Sequence, residues 1–216
     1  MAIFQAFRAL RPVPDKAEAV AALPYDVVTR EEAKEIGDQN PDSFLHVDRA
    51  EMDLPADTDL YDQKVYDRAR ENLINMEKNG ILVQDGAPCY YIYELTRKGK
   101  TQTGLVGCCS IDDYMNGVVK KHELTREDKE QDRIHHVDVC DANTGPIYLA
   151  CKYPQELLDL METWKASHDA VYDFVAEDEI GHRVWVIDGE AEKKVIAEQF
   201  GNIPYIYIAD GHHRAA

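Results

Sequence analysis

Long apolar runs are missing: nowhere do the 216 residues approach the roughly 18 consecutive apolar side chains that a membrane-spanning helix needs. The opening Met1-Ala-Ile-Phe-Gln-Ala-Phe-Arg8 lacks the charged start and extended apolar stretch of a secretory signal, so a cytoplasmic protein is expected. Cysteine is scarce. Cys89, Cys108, Cys109, Cys140 and Cys151 make an odd count of five with no Cys-x-x-Cys pair, which argues against a disulfide framework and a structural zinc knuckle and leaves buried thiols. Positive charge is also short: 24 basic against 41 acidic side chains give a formal net charge of −17, opposing the attraction that supplies most non-specific affinity for nucleic acid. No basic helix-turn-helix pattern, internal repeat or low-complexity tract is present, so DNA binding is not expected. Small phosphorylated ligands are still compatible with this charge, because a local pocket can be positive on an acidic protein.

With 44% hydrophobic residues, the chain can bury a substantial core. Thr29 is placed to cap a helix over Arg30 to Gly37. From Asp59 to Asn79, Tyr61, Val65, Ala69, Leu73 and Met76 recur at helical spacing, and Gly80 is placed to end that helix. Cys89 to Leu95 and Thr103 to Cys109 predict two strands of an antiparallel hairpin turning at Arg97-Lys-Gly-Lys100. Further strands are expected over Gly145 to Ala150, Ala170 to Val175, Arg183 to Ile187 and Tyr205 to Ala209, with helices over Gln155 to Ser167 and Ala191 to Phe200. Helices mixed with paired strands predict an α+β, mixed α/β fold with a mixed or antiparallel sheet and flanking helices. The chain reads as a single α+β unit over 1–216, with 80–88 as the candidate internal boundary.

Two stretches carry the residue types of a chemical site. In the first, the apolar run Ile206-Tyr-Ile-Ala feeds into Asp210-Gly-His-His-Arg214. Gly211 can take positive φ without a Cβ penalty, a helix opened after it would present free N–H groups to an anion, and Arg214 could add a bidentate clamp. A strand ending in an exposed Asp-Gly turn accounts for the same residues without a site. The second stretch is Lys120 to Arg133. Thr125 suits an N-cap, Asp128 three residues on makes a capping-box-like pair, and the chain from Arg126 should be helical. Its charges balance as in a solvated helix laced with ion pairs. His122 and Glu123 precede the cap and could offer an imidazole and a carboxylate for proton transfer or metal coordination, although the second His of a zinc helix is lacking. His135 and His136 would point about 100° apart on a helix, poorly placed to share a metal.

Taken in order, Phe7-Arg-Ala-Leu-Arg-Pro12, Leu23-Pro-Tyr-Asp-Val-Val28, Asn40-Pro-Asp-Ser-Phe-Leu-His46, Lys121-His-Glu-Leu-Thr125, Asp132-Arg133, Thr144-Gly-Pro146 and Asp210-Gly-His-His-Arg214 resemble the domain-of-unknown-function 1015 family. Ala209 to Ala216 also resembles the signature of the ParB/sulfiredoxin-like superfamily, in which a Gly-x-x-Arg-type turn at a strand-to-helix junction holds nucleotide phosphates. The resemblance implies a ParB/sulfiredoxin-like element at the C-terminal end. It also implies a chain that continues past this motif, making 1–216 the N-terminal part of a longer protein. It raises the standing of His122, Glu123, Thr125, Asp132 and Arg133, lets the Asn143 to Pro146 loop line the pocket, and makes Asp26 and His46 secondary candidates. Sulfiredoxin chemistry is disfavoured, because that motif has Cys where this chain has His212 or His213.

These readings lead to a nucleotide-binding enzyme that transfers phosphate from ATP or another nucleotide to a small metabolite. In it Glu123, His122 and Asp210 are the catalytic candidates, with Glu123 the preferred general base. Gly211, His212, His213, Arg214, Arg133 and Thr125 are the cofactor-binding candidates, and Asp210 would hold Mg²⁺ through water. Two alternatives stay open: a nucleotide-sensing regulatory module without turnover, and a metal-dependent hydrolase using His122, Glu123, Asp210, His212 and His213.

Overall fold

The computed structural model describes residues 2–216. The fold is α+β, with helices and small, mostly antiparallel sheets. It divides into two compact units. The first takes the chain up to Pro14, Gln84–His122 and Tyr148–Asp210; the second takes Asp15–Val83, Glu123–Ile147 and Gly211–Ala216. Among the described residues, no helix is long and apolar enough to cross a membrane.

The first unit is built on the expected hairpin, drawn tighter. Lys98 (φ 49°) and Gly99 (φ 74°) both sit in the left-handed region, as a two-residue turn of the type that matches strand twist requires. The strands therefore run over Tyr90–Arg97 and Lys100–Val106, beyond the limits the sequence suggested. Gly181–Ile187 pairs with Tyr90–Thr96 and Tyr172–Val175 closes the order, giving a four-stranded antiparallel sheet. Cys108–Cys109 were expected to continue the hairpin but pair instead with Phe4–Gln5. The Phe4 ring lies only 2.5 Å from where a Cβ on Gly107 would stand, so that glycine lets the chain turn off under the ring. In a second sheet Ile206–Asp210 runs parallel to Val119–Lys120 and antiparallel to Tyr148–Ala150. Helices Gln155–Ser167 and Glu190–Gly201 supply Leu157, Met161, Trp164, Ile196 and Phe200 to a core shared with Phe4, Tyr90, Ile92, Trp185, Ile187 and Ile206. Phe4 and Phe200 stack with ring centroids 4.1 Å apart.

The second unit is helical. Thr29 caps Arg30–Gln39 in a full capping box, its side chain accepting from Glu32 N–H at 3.2 Å while the Glu32 carboxylate accepts from Thr29 N–H at 2.8 Å. The long helix covers Gln63–Lys78 rather than starting at Asp59, because Asp59 closes a turn on the Tyr61 and Asp62 N–H groups and Asp62 becomes the cap. Val65, Ala69, Leu73 and Met76 form its buried stripe, joined by Tyr66, whereas Tyr61 is exposed. The loop after the short Leu45–Asp48 helix is held by Arg30, whose guanidinium donates to the carbonyls of Glu51, Leu54, Pro55, Ala56 and Thr58. A third long helix, Glu127–Cys140, makes the second unit's contact with Gln63–Lys78 through Tyr66 Oη, which donates to Asp132 at 3.0 Å.

Candidate functional site

The Glu127–Cys140 helix begins one residue later than its cap was expected. Arg126 occupies the N-cap, and Thr125 Oγ1 donates to the Glu130 carboxylate at 2.5 Å instead of receiving a backbone N–H. Asp128, the expected partner of Thr125, is bound by Arg126 at 2.7 Å. On this helix Asp132, His136 and Cys140 are spaced by four residues and are buried together, which leaves His135 exposed on the adjoining face. Arg133 Nε and Nη2 both donate to Asp132 Oδ2, at 3.0 and 2.8 Å, and the guanidinium lies 4.1 Å from the Tyr25 ring centroid. Tyr25 is in turn fixed by Arg49, which donates to its carbonyl at 3.2 Å. Arg133 is thus steered by a carboxylate and an aromatic face and cannot swing freely.

Gly211 takes the left-handed conformation expected of it, with φ 87°. The helix it opens, His212–Ala215, has four residues. A Cβ on Gly211 would lie 2.8 Å from the Arg214 guanidinium, and one on Gly145 3.1 Å from Arg214 Cδ, so both glycines are needed for Arg214 to fold back over its own turn. The neighbouring Thr144 Oγ1 donates to Asp48 Oδ1 at 2.7 Å. His136 Nε2 approaches the same oxygen at 3.8 Å. Burial pushes Asp48 above the ordinary carboxylate range, against the opposing pull of the Thr144 hydroxyl, Arg133 and Arg214. Burial, with Arg133 as the next cause, drives His136 down to about 4, so its ring is neutral at neutral pH.

Arg133, His213 and Arg214 open onto one pocket of about 300 Å³, completed by Ile134, Val137, Asp138, Asn143 and Ala216. His213 Nε2 accepts the Arg126 N–H at 3.1 Å, which ties the C-terminal turn to the start of the Glu127–Cys140 helix. His212 is buried, with Nδ1 3.4 Å from the exposed Glu123 carboxylate. The second unit therefore gathers Glu123, Thr125, Arg133, Gly211, His212, His213 and Arg214. His122 and Asp210 belong to the first unit, where Asp210 ends the Ile206–Asp210 strand. Asp26 is exposed, and His46 is engaged with Asp53 at 3.0 Å.

The sequence singled out neither Tyr25, which stacks on Arg133, nor Asp48, which stands two residues beyond His46. No local pattern distinguishes a carboxylate that closes a four-residue helix, as Asp48 does, from an ordinary surface acid. Its partner Thr144 lies 96 positions away along the chain.

The comparisons with known proteins add one finding. No curated protein and no solved structure matches the chain. A family model described as "Protein of unknown function (DUF1015)" matches residues 4–216, and the chain belongs to that family.

Proposed function

We propose that the second unit binds a phosphorylated small molecule, with a nucleotide as the favoured class, and that the protein transfers phosphate from that nucleotide to a small metabolite. The observation that carries this reading is the convergence of Arg133 and Arg214 on one pocket from separate segments of the chain. On a chain of net charge −17, the pocket is lined by one acidic side chain, Asp138, and by two guanidiniums, Arg133, which is paired with Asp132, and Arg214. Guanidinium forks match phosphate oxygens two at a time, which a lysine cluster would not do. A pocket of about 300 Å³ is at the small end of ligand sites and suits the phosphate-bearing part of a nucleotide. The likeness of Ala209 to Ala216 to a ParB/sulfiredoxin-like phosphate turn supports the same choice, as does the left-handed Gly211 beneath Arg214.

Calorimetric titration of ATP, ADP and CTP, each with Mg²⁺, into the wild type and Arg214→Gln tests the reading. Binding by the wild type and a loss of affinity of about tenfold or more in the variant are expected, the size of one charge-assisted pair. Absence of binding by all three nucleotides, or equal binding by the variant, contradicts it.

A further inference from the structure

The Glu127–Cys140 helix presents one face to the pocket, through Arg133, Ile134, Val137 and Asp138. At about 100° and about 1.5 Å per residue, Val137 and Ile134 fall in the middle of that face, with Arg133 at one edge and Asp138 at the other, about 7.5 Å further along the axis. The helix therefore offers the cavity a guanidinium, then two apolar side chains, then a carboxylate. Ile134 and Val137 are exposed, so this apolar strip belongs to the cavity wall and not to the core. On the same helix Asp128 accepts from Arg126, Glu130 from Thr125, and Asp132 from Tyr66 and Arg133. Asp138 is exposed and, among the described residues, accepts no hydrogen bond and pairs with no cation.

An ionised carboxylate has acceptor capacity alone, so it repels the phosphates of a ligand and attracts its neutral donors. In a nucleotide the ribose carries two such donors on adjacent carbons, the 2′- and 3′-hydroxyls. C5′ and C4′ separate them from the α-phosphate, and the C–H groups there suit the Ile134 and Val137 side chains. A base amino group stands farther out, beyond the glycosidic bond.

We propose that Asp138 is the specificity-determining residue of the pocket: its carboxylate accepts from the ribose 2′- and 3′-hydroxyls of the nucleotide whose phosphates meet Arg133 and Arg214, and the ligand is therefore a ribonucleotide. This rests on the phosphate-pocket reading above. The nucleotide lies along the helix, phosphates at the Arg133 edge and sugar toward Cys140. Two oxygens of one carboxylate match two vicinal hydroxyls, as a guanidinium fork matches two phosphate oxygens. The charge that favours the sugar also holds the phosphates away from that end, which fixes the direction of the ligand.

The test is calorimetric titration of the full chain with ATP, 2′-deoxy-ATP, 2′,3′-dideoxy-ATP and inorganic tripolyphosphate, each with Mg²⁺, for the wild type, Asp138→Asn and Asp138→Ala. The wild type should bind ATP about tenfold more tightly than 2′-deoxy-ATP, and 2′,3′-dideoxy-ATP more weakly still, each lost hydroxyl removing a charge-assisted hydrogen bond. Asp138→Ala should bind the three nucleotides within about twofold of one another, and Asp138→Asn, which keeps one acceptor oxygen, should fall between. Tripolyphosphate has no sugar and should bind Asp138→Ala more tightly than the wild type, by about twofold or more, because a like charge has gone. That gain is one a folding defect would not produce, and thermal unfolding of each variant checks it. Equal binding of ATP and 2′,3′-dideoxy-ATP by the wild type, wild-type discrimination retained in a folded Asp138→Ala, or binding of tripolyphosphate without ATP overturns the assignment of Asp138 and leaves the phosphate pocket standing. Absence of binding by ATP and tripolyphosphate alike overturns the pocket reading and this inference with it.

Discussion

The two units differ in the polar side chains they bury among apolar ones. The first buries Phe4, Tyr90, Ile92, Leu157, Trp164, Trp185, Ile196 and Phe200 in one apolar cluster, and its buried polar side chains are Glu94 and Asp113. The second buries the cluster Val28, Ala33, Leu45 and Met52 and the stripe Val65, Tyr66, Ala69, Leu73 and Met76, and with them Ser43, Glu51, Asp132, His136 and His212. Apolar contact is non-directional and tolerates no particular chemistry, whereas buried polar groups must each be satisfied in one geometry. The pocket lined by Arg133, His213 and Arg214 lies in the second unit, among these buried polar groups.

The largest effect that would sharpen this contrast is in the first unit. Phe200→Ala removes a ring stacked on Phe4 and edge-on to Tyr153, and should cost about 3–5 kcal/mol in denaturant unfolding. Both tryptophans, Trp164 and Trp185, lie in this unit, so their fluorescence reports its unfolding directly. In the second unit, pH should do what truncation does in the first. His136 is neutral when folded and returns to its ordinary value near 6.5 when unfolded. The unfolded chain therefore binds the proton first, and stability should fall as pH drops from about 6.5 toward about 4, by up to about 3 kcal/mol. His136→Gln should flatten that slope in unfolding curves followed by far-UV circular dichroism. Arg30→Met strips the donor from five loop carbonyls and should cost about 2 kcal/mol, read as a lower denaturant midpoint. The smallest change has the opposite sign. Folding raises the Asp48 pKa, so its charged form is a burden that appears as pH rises through that value. Asp48→Asn should be more stable than the wild type at neutral pH and show no gain in acid; a loss at neutral pH would contradict the cost that burial places on the charged carboxylate.

Much of the fold was legible because its signals are local. The Thr29 capping box, the Val65-to-Met76 stripe and the Gln155–Ser167 helix each need only a few neighbouring residues to be recognised. Cap identity was less legible: Thr125 could equally bond Glu130, and does. The interleaving of the two units escaped the sequence for a physical reason, since crossings such as those after Pro14, His122 and Asp210 need no linker composition. At the pocket, Arg133 and Arg214 were visible from their motifs, while the nearby Thr144–Asp48 hydrogen bond joins residues far apart along the chain that no spacing rule connects.

Hydrogen exchange with and without saturating ATP and Mg²⁺ tests most directly whether the polar unit is the ligand-binding one. The account predicts slowed exchange in Glu127–Cys140, in Asn143 to Gly145 and in His212–Ala215, with Gln155–Ser167 unchanged. Protection centred instead on the first unit's own pocket, at Lys152 to Pro154 and Asn202 to Tyr207, or protection nowhere, would contradict it.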